Sequence, residues 1–253
     1  MLFRMLLYLA LFNLKLKGDF MKVLQRFQVL IVFVLCSSVV NAELVESFTW
    51  KAFPGKAAQM LENFAEAKGL HEAMGAQVSI GQRWVGGTQE VDYTIRFDDM
   101  TSWAKFWDYP QTSKEMQAFY AFMARTSSDP VGEMVSSIAG SNADLSKKAA
   151  DFEGQYVYTV NIWDPAPGKS QYLMERFLAG KKIHEKLGAR VEIYMEGVGG
   201  TGRGHYVMMW ESHAQMGETF MKMAQSKEWL AMLAENDPDA FSMVASYRGQ
   251  TVN

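Results

Sequence analysis

Strand-like and helix-like patterns of hydrophobic residues alternate along this chain, and their order occurs twice. In the C-terminal half, residues 156–163 alternate β-branched and aromatic side chains with polar ones, which is typical of a strand. Residues 167–187 then carry apolar side chains at helical spacing, and Gly188 follows as a helix stop. Further strands are predicted at 191–195, 205–210 and 241–247, and helices at 214–224 and 227–234. The N-terminal half repeats this order.

The repetition extends to residue identity. Residues 54–97 match 167–210 without a gap, and 17 of these 44 positions are identical at a shift of 113. Average residue usage would give roughly three identities. The order β-α-β-β-α-β is that of a ferredoxin-like unit, whose sheet has one bare face that a second copy can cover. We therefore predict an α+β fold of tandem ferredoxin-like (βαββαβ) repeats that form a barrel, with repeats at 43–140 and 153–253 and a linker at 141–152.

Residues 1–42 are predicted to be a leader and signal peptide. After Met21, Lys22 and Arg26 precede an apolar run at 29–35 that is too short to span a membrane. The segment ends at Ala42 in the small-residue pattern of a secretory cleavage site. The mature chain is therefore expected to be periplasmic or secreted.

The first 20 residues have two interpretations. The codons for residues 17–19 can spell a ribosome-binding sequence, which favours Met21 as the true start and residues 1–20 as untranslated leader. The alternative is a long or double N-terminal anchor. In either case Cys36, the sole cysteine, lies within the predicted signal. The mature chain is then expected to contain no disulfide and no thiol nucleophile.

Charge narrows the range of partners. The full chain has a formal net charge of −3 and a pI near 5.9, whereas a nucleic-acid or anionic-membrane partner requires a basic face. We expect no nucleic-acid partner and no membrane association after signal cleavage. The sequence leaves open whether the protein is a monomer or a homodimer.

The most informative candidates for chemistry are two histidines at matching positions of the repeat, His71 and His184. Each lies in the middle of an apolar stripe on the helix face that is turned towards the sheet. One interpretation is a packed histidine whose nitrogens are satisfied internally. The other is a histidine that points into a pocket as a general base or ligand-orienting group. No HExxH motif is present, and no metal site is predicted.

Aromatic residues supply a candidate pocket. Trp103 and Trp107, together with Phe106, Phe119 and Tyr120, have the spacing of a helical core, but so large a cluster can also line an apolar ligand pocket. The predicted pocket residues are Phe64, Phe177, Trp103 and Trp107. The glycine-rich segment 196–204 leads into a strand and not a helix, which favours a hairpin turn over a phosphate-binding loop.

The run from PGK through HEKLGARVEIY, the strand ending in MMWES, and SKEWLAML resemble the NIPSNAP proteins and the related antibiotic-biosynthesis-monooxygenase group. This resemblance implies the dimeric α/β-barrel superfamily, here as an intramolecular pair, with ligands between helices and sheet. The haem-degrading branch of the superfamily pairs an Asn on the first strand with a Trp and a His on a later helix. Asn161 looks like that Asn, but Thr219 and Phe220 occupy the later helix, so no cofactor is predicted.

Two functions from different classes remain. The first is a secreted or periplasmic protein that binds a small apolar or aromatic molecule, with cofactor-free monooxygenase or isomerase chemistry and with His71, His184 and Asn161 as candidate catalytic residues. The second is a non-catalytic NIPSNAP-like interaction or structural module in which the histidines are packed. The sequence does not decide whether the protein is an enzyme.

Overall fold

A computed structural model describes residues 42–87 and 89–252, so the predicted leader and signal peptide lie outside it apart from Ala42. The first half consists of β1 (Leu44–Ala52), α1 (Ala57–Ala73), β2 (Gln77–Val85), β3 (Val91–Phe97), α2 (Met100–Trp107), α3 (Lys114–Ser128) and β4 (Gly132–Asn142). The second half consists of β5 (Val157–Pro165), α4 (Ser170–Lys186), β6 (Arg190–Glu196), β7 (Gly204–Trp210), α5 (His213–Gln225), α6 (Lys227–Ala234) and β8 (Phe241–Val252).

The strands form one closed antiparallel barrel in the order β1-β3-β2-β8-β5-β7-β6-β4. Each half contributes four adjacent strands in the ferredoxin-like order. The two sets join at their edges, where β2 pairs with β8 and β4 pairs with β6. The predicted α+β fold of tandem ferredoxin-like repeats is confirmed.

Local details recur at the shift of 113. The pairing of β1 with β4 slips between Thr49 and Trp50, and that of β5 with β8 slips between Ile162 and Trp163. Helices α1 and α4 are both followed closely by a glycine of positive φ, 95° at Gly75 and 108° at Gly188. Because this backbone conformation is strained for other residues, the helices end where the sequence predicted.

Strand alternation gives the barrel two chemically different faces. The outer face packs against the helices in two separate cores, one in each half. The inner face encloses a lumen that contains its own aromatic and aliphatic cluster, built around Phe152, Tyr158, Val160 and Met209. The molecule therefore has two helix–sheet interfaces and one lumen where a ligand could bind.

Part of the predicted linker belongs to regular secondary structure. Strand β4 continues through Asn142, so the predicted boundary at residue 141 falls within a strand. A short 3₁₀ helix at Ala149–Phe152 then places the Phe152 ring under two guanidinium groups, 4.3 Å from that of Arg96 and 4.7 Å from that of Arg190. Within the described part of the chain, no helix is both long and apolar enough to cross a membrane.

A candidate ligand cavity between helices and sheet

Helices α4 and α6 leave a cavity of about 290 Å³ against the outer face of β5 and β7, which we call the helix–sheet cavity. Most of its lining is aromatic or aliphatic, and it includes Phe177, Trp229 and Met232. The wall of α4 is open at Gly180, where a Cβ atom would come within 3.3 Å of the Tyr206 hydroxyl. A missing side chain on the buried face of the helix therefore provides part of the space.

His184 is the most unusual polar group of this cavity. Its side chain comes from α4, is 3% exposed, and places Nδ1 2.7 Å from the Tyr206 hydroxyl on β7. Its other nitrogen, Nε2, is buried and has no hydrogen-bond partner among the described residues. A buried polar atom without a partner costs free energy, so such an atom at a cavity wall is a candidate for contact with a ligand.

The protonation of this pair follows from its burial. Burial raises the pKa of Tyr206, which keeps the phenol protonated, and burial lowers the pKa of His184 to about 4, which keeps the imidazole neutral at neutral pH. We assign the Tyr206 hydroxyl as donor to Nδ1, since it has no other acceptor in the described chain. The imidazole proton then lies on Nε2, and the histidine offers a neutral N–H donor to the cavity.

Two further polar residues border the cavity. Asn161 accepts a hydrogen bond from the Ser246 hydroxyl at 2.8 Å through its Oδ1, and its amide nitrogen has no partner within residues 42–87 and 89–252. Arg176 is hydrogen-bonded within the protein. Its Nε donates to the Asn236 Oδ1 at 2.7 Å, and its Nη2 donates to the Met232 carbonyl. The groups still able to bind a ligand are therefore His184 and Asn161, both predicted from the sequence.

The first half repeats the histidine–tyrosine pair in a different environment. His71 Nδ1 lies 2.7 Å from the Tyr93 hydroxyl, and burial lowers the pKa of His71 to about 4. Two phenylalanine rings pack on this imidazole, with centroid distances of 5.6 Å for Phe106 and 4.9 Å for Phe119. His71 therefore packs between two aromatic rings and stays partly exposed, whereas His184 is buried and packs on the Trp229 ring at 4.4 Å.

The predicted pocket residues lie in different parts of the structure. Phe177 lines the helix–sheet cavity. Phe64 packs edge-on against Trp50 and Tyr93 in the first core, and Trp103 donates its Nε1 hydrogen to Glu46 at 2.7 Å. Trp107 is 50% exposed at the end of α2 and is not part of the lining of the helix–sheet cavity. On this short helix Phe106 takes the buried face, which turns the next residue towards solvent.

Several lining residues were missed by sequence reasoning. Tyr206 is among the repeated identities, 22 positions after His184, and its counterpart Tyr93 follows His71 by the same interval. This shared interval was the available signal for the pair. No sequence signal marked Trp229 and Met232 as cavity residues, because apolar residues that line a cavity have the same helical spacing as those that fill a core.

Neither the haem-degrading pattern nor a metal centre is assembled around the cavity. The Thr219 hydroxyl, on α5, accepts a hydrogen bond from Trp210 Nε1 at 3.0 Å and holds the position where that pattern requires a different side chain. Throughout the described residues, no three His, Cys, Asp or Glu side chains are grouped so that they could hold a metal ion.

Comparison with known proteins gives the fold class. Neither the protein-family models nor the curated proteins contain a match to this chain. Among solved structures, it is similar to an anthrone oxidase-like protein with 13% identity and a TM-score of 0.51, over 85% of this chain and 94% of that one. A provisionally assigned monooxygenase from Lactobacillus acidophilus shows 5% identity and a TM-score of 0.51, over 83% and 93%.

A second provisionally assigned monooxygenase, from Fusobacterium nucleatum subsp. nucleatum, shows 10% identity and a TM-score of 0.50, over 83% of this chain and 91% of that one. At such identities the likeness establishes the fold and not the activity. These three proteins and this chain share an α/β-barrel fold.

Proposed function

We propose that the helix–sheet cavity binds a small, largely apolar aromatic molecule that carries a carbonyl or phenol oxygen, and that the protein oxidises this molecule with O₂ without a cofactor. The observation that carries the proposal is the unpartnered, buried Nε2 of His184 at the wall of an apolar cavity. A ligand oxygen would satisfy this donor, and the aromatic lining would hold the ring system.

The volume of the cavity limits the size of the ligand. A dry apolar cavity of about 150 Å³ holds benzene. The helix–sheet cavity, at about 290 Å³, is roughly twice that size, which suits two or three fused rings. The names of the proteins that share the fold, an anthrone oxidase-like protein and two monooxygenases, support a tricyclic ketone such as anthrone as the first compound to test.

The geometry suggests a division of roles for such a substrate. His184 would donate its Nε2 hydrogen to the carbonyl oxygen and thereby stabilise the enolate that forms when the CH₂ group of anthrone loses a proton. The amide nitrogen of Asn161 offers a second donor. The proton from the CH₂ group passes to solvent. The enolate then reacts with O₂ and takes a proton back to give a hydroperoxide at that carbon, and loss of water from the hydroperoxide leaves one oxygen atom as the new carbonyl of the quinone.

The test compares His184→Phe with His71→Phe. Both variants lose a histidine–tyrosine hydrogen bond of 2.7 Å, so their effects on folding are matched. Trp163 and Trp229 line the cavity, so quenching of tryptophan fluorescence by anthrone reports binding, and an oxygen electrode reports turnover. We expect His184→Phe to weaken binding at least tenfold and to abolish oxygen uptake, and His71→Phe to leave both unchanged.

A non-catalytic module is the second candidate. It is favoured by the recurrence of the histidine–tyrosine pair in the first half, where two aromatic rings pack on the imidazole and the pair is structural. Binding of anthrone without oxygen uptake by the wild-type protein would favour this candidate. Absence of binding, or equal losses in the two variants, would contradict a ligand site at His184.

A further inference from the structure

The barrel lumen encloses a second cavity of about 290 Å³, separated from the first by the sheet itself. All eight strands contribute inward-facing side chains to its wall. Much of the wall is apolar or aromatic, and it includes Phe152, Val160, Val207, Met209 and Tyr247. The lumen is therefore lined partly like a ligand pocket and is not completely filled by core side chains.

The charged groups of this wall are paired with one another. Arg83 donates to both Asp92 carboxylate oxygens, at 2.6 and 2.8 Å, and to Glu90 at 2.7 Å. Arg96 is bound to Glu43 at 2.5 Å.

Two further carboxylates of the wall also have basic partners. Glu192 is bound to Arg190 at 2.9 Å, and Glu196 is 2.8 Å from the Nε2 of His205. Each of these carboxylates is hydrogen-bonded to a basic side chain, with Arg83 shared between Asp92 and Glu90, so a guest meets no carboxylate that lacks a protein partner. An uncharged ligand is favoured over an anion or a cation.

Two hydrogen-bond donors of the wall are nevertheless unused. Tyr158 is 8% exposed, and its hydroxyl has no partner in the described chain. Burial raises the pKa of Tyr158 well above its usual value, so the phenol stays protonated and can donate. Nη2 of Arg96 likewise has no hydrogen-bond partner within the described residues, whereas its Nε and Nη1 are bound. The Tyr158 hydroxyl is itself buried in the wall, so a guest with an acceptor oxygen would satisfy it after a small shift of the packing around it.

Two glycines leave room for the Tyr158 phenol along the inner wall. A Cβ atom on Gly249 would lie 2.6 Å from the hydroxyl, and one on Gly81 would overlap it. At the matching position of the first half stands Val45, which has no polar group. The unused hydroxyl is therefore specific to one side of the lumen and is not a general feature of the repeat.

The lumen reaches solvent beside β4. This strand pairs with β6 through Gly140, Ser141 and Asn142, and Ala139 is bonded to Gly197 and Val198 just beyond β6. Among the described residues, the part of β4 before Ala139 has no backbone hydrogen bond on that side. Ser136 belongs to this stretch, is exposed, and also lines the lumen. This stretch is therefore the candidate entrance to the lumen.

From these features we infer that the lumen is a second binding site, for a small uncharged molecule that carries a hydrogen-bond-accepting oxygen, with Tyr158 as donor. The site is independent of the proposed oxidation in the helix–sheet cavity. Acetophenone is a suitable probe, and ethylbenzene is its matched control, since it has nearly the same shape but no oxygen.

The experiment is calorimetric titration of the full chain in a Met232→Phe background, which closes the helix–sheet cavity so that any remaining heat comes from the lumen. We expect acetophenone to bind about tenfold more tightly than ethylbenzene, as one neutral hydrogen bond would give. Tyr158→Phe should remove this preference and leave the melting temperature unchanged or raised, since the hydroxyl has no protein partner to lose.

A second pair of variants tests the entrance. Ser136→Phe should block binding of both probes, while Ser137→Phe, on the same exposed strand but outside the lumen wall, should not. The proposal is overturned if acetophenone gives no heat, as expected of a lumen that holds only water. It is also overturned if Tyr158→Phe keeps the preference for acetophenone, or if Ser136→Phe has no more effect than Ser137→Phe.

Discussion

The outer faces of the two half-barrels hold the same histidine–tyrosine pair, yet one is packed and the other surrounds a cavity. At the shift of 113, Phe48 corresponds to Asn161, Phe106 to Thr219 and Phe119 to Met232. In the first half, two of these phenylalanines lie against His71. In the second half, smaller or polar residues take all three positions, and the Nε2 of His184 is left without a partner in the described chain.

The comparison separates what the fold requires from what a function would require. The histidine–tyrosine bond joins helix to sheet in both halves, with the same length of 2.7 Å, so the bond by itself is no evidence for a site. The difference lies in these three substitutions and in a fourth, Met116 to Trp229, which places an indole ring 4.4 Å from the imidazole of His184. If the second half binds a ligand, the first three positions provide the space for it. The histidine, which occupies the same place in both copies of the repeat, then serves as the polar group that contacts the ligand.

The largest effect is expected from truncating a side chain that fills the first half. Phe106 is 5% exposed and contacts the rings of His71, Phe97 and Trp107. Phe106→Ala should lower the free energy of unfolding by about 3–5 kcal/mol, because it leaves a void in a packed core. Urea unfolding monitored by circular dichroism measures this.

Thr219→Ala is the matched change in the second half. It removes the acceptor of the Trp210 Nε1 hydrogen bond but little volume, and about 1–3 kcal/mol is expected. Equal losses in the two variants would contradict the difference in packing between the halves.

The repeat made much of this architecture predictable. The internal identities and helical periodicity gave the element order, the helix ends at Gly75 and Gly188, and the orientation of His71 and His184 towards the sheet. These features depend on neighbours within about 25 residues. The exposure of Trp107 was not predictable, because hydrophobicity alone does not tell which of two adjacent aromatic residues on a short helix is buried.

The barrel was predicted from the repeat, but the side chains that meet in its lumen were beyond sequence reasoning for a physical reason. Glu43 is bound to Arg96 and also accepts a hydrogen bond from Tyr194, which is 151 positions away in the chain. Period-2 alternation marks the inward positions of a strand but does not identify the strand that faces them. The two halves differ at single positions such as Phe48 and Asn161, but the sequence alone does not show whether such a change leaves a cavity or is filled by a neighbouring side chain.

A smaller effect, and one that should be equal in the two halves, is expected from pH. In the unfolded chain each imidazole has a pKa near 6.5, whereas burial lowers the pKa of both His71 and His184 to about 4 in the folded protein. As pH falls from 6.5 to 4, the unfolded chain binds protons first, and stability is lost. Each histidine should contribute on the order of 3 kcal/mol to this loss.

Urea midpoints of His71→Gln and His184→Gln, compared with the wild type between pH 7 and 4, measure the two contributions separately. Each variant should show a shallower decline than the wild type. A bound ligand should change this decline through His184 and leave the contribution of His71 unaltered. If His71→Gln alone removed the pH dependence, His184 would not be the buried neutral imidazole that the proposed site requires.

The smallest change in stability should come from Gly180→Ala, which gives α4 the residue that α1 has at Ala67. Alanine favours a helix over glycine by about 0.5–1 kcal/mol. Against this gain, the new Cβ would lie 3.3 Å from the Tyr206 hydroxyl, 3.5 Å from Met232 Cε and 3.8 Å from Trp229 Cζ3. The two terms should nearly cancel in urea unfolding, while the methyl group narrows the helix–sheet cavity and weakens anthrone binding at least fivefold.

Ala67→Gly is the control, and it should cost about 1 kcal/mol without affecting binding. A Gly180→Ala protein that binds anthrone as the wild type does would show that the open wall of α4 is not part of the ligand site.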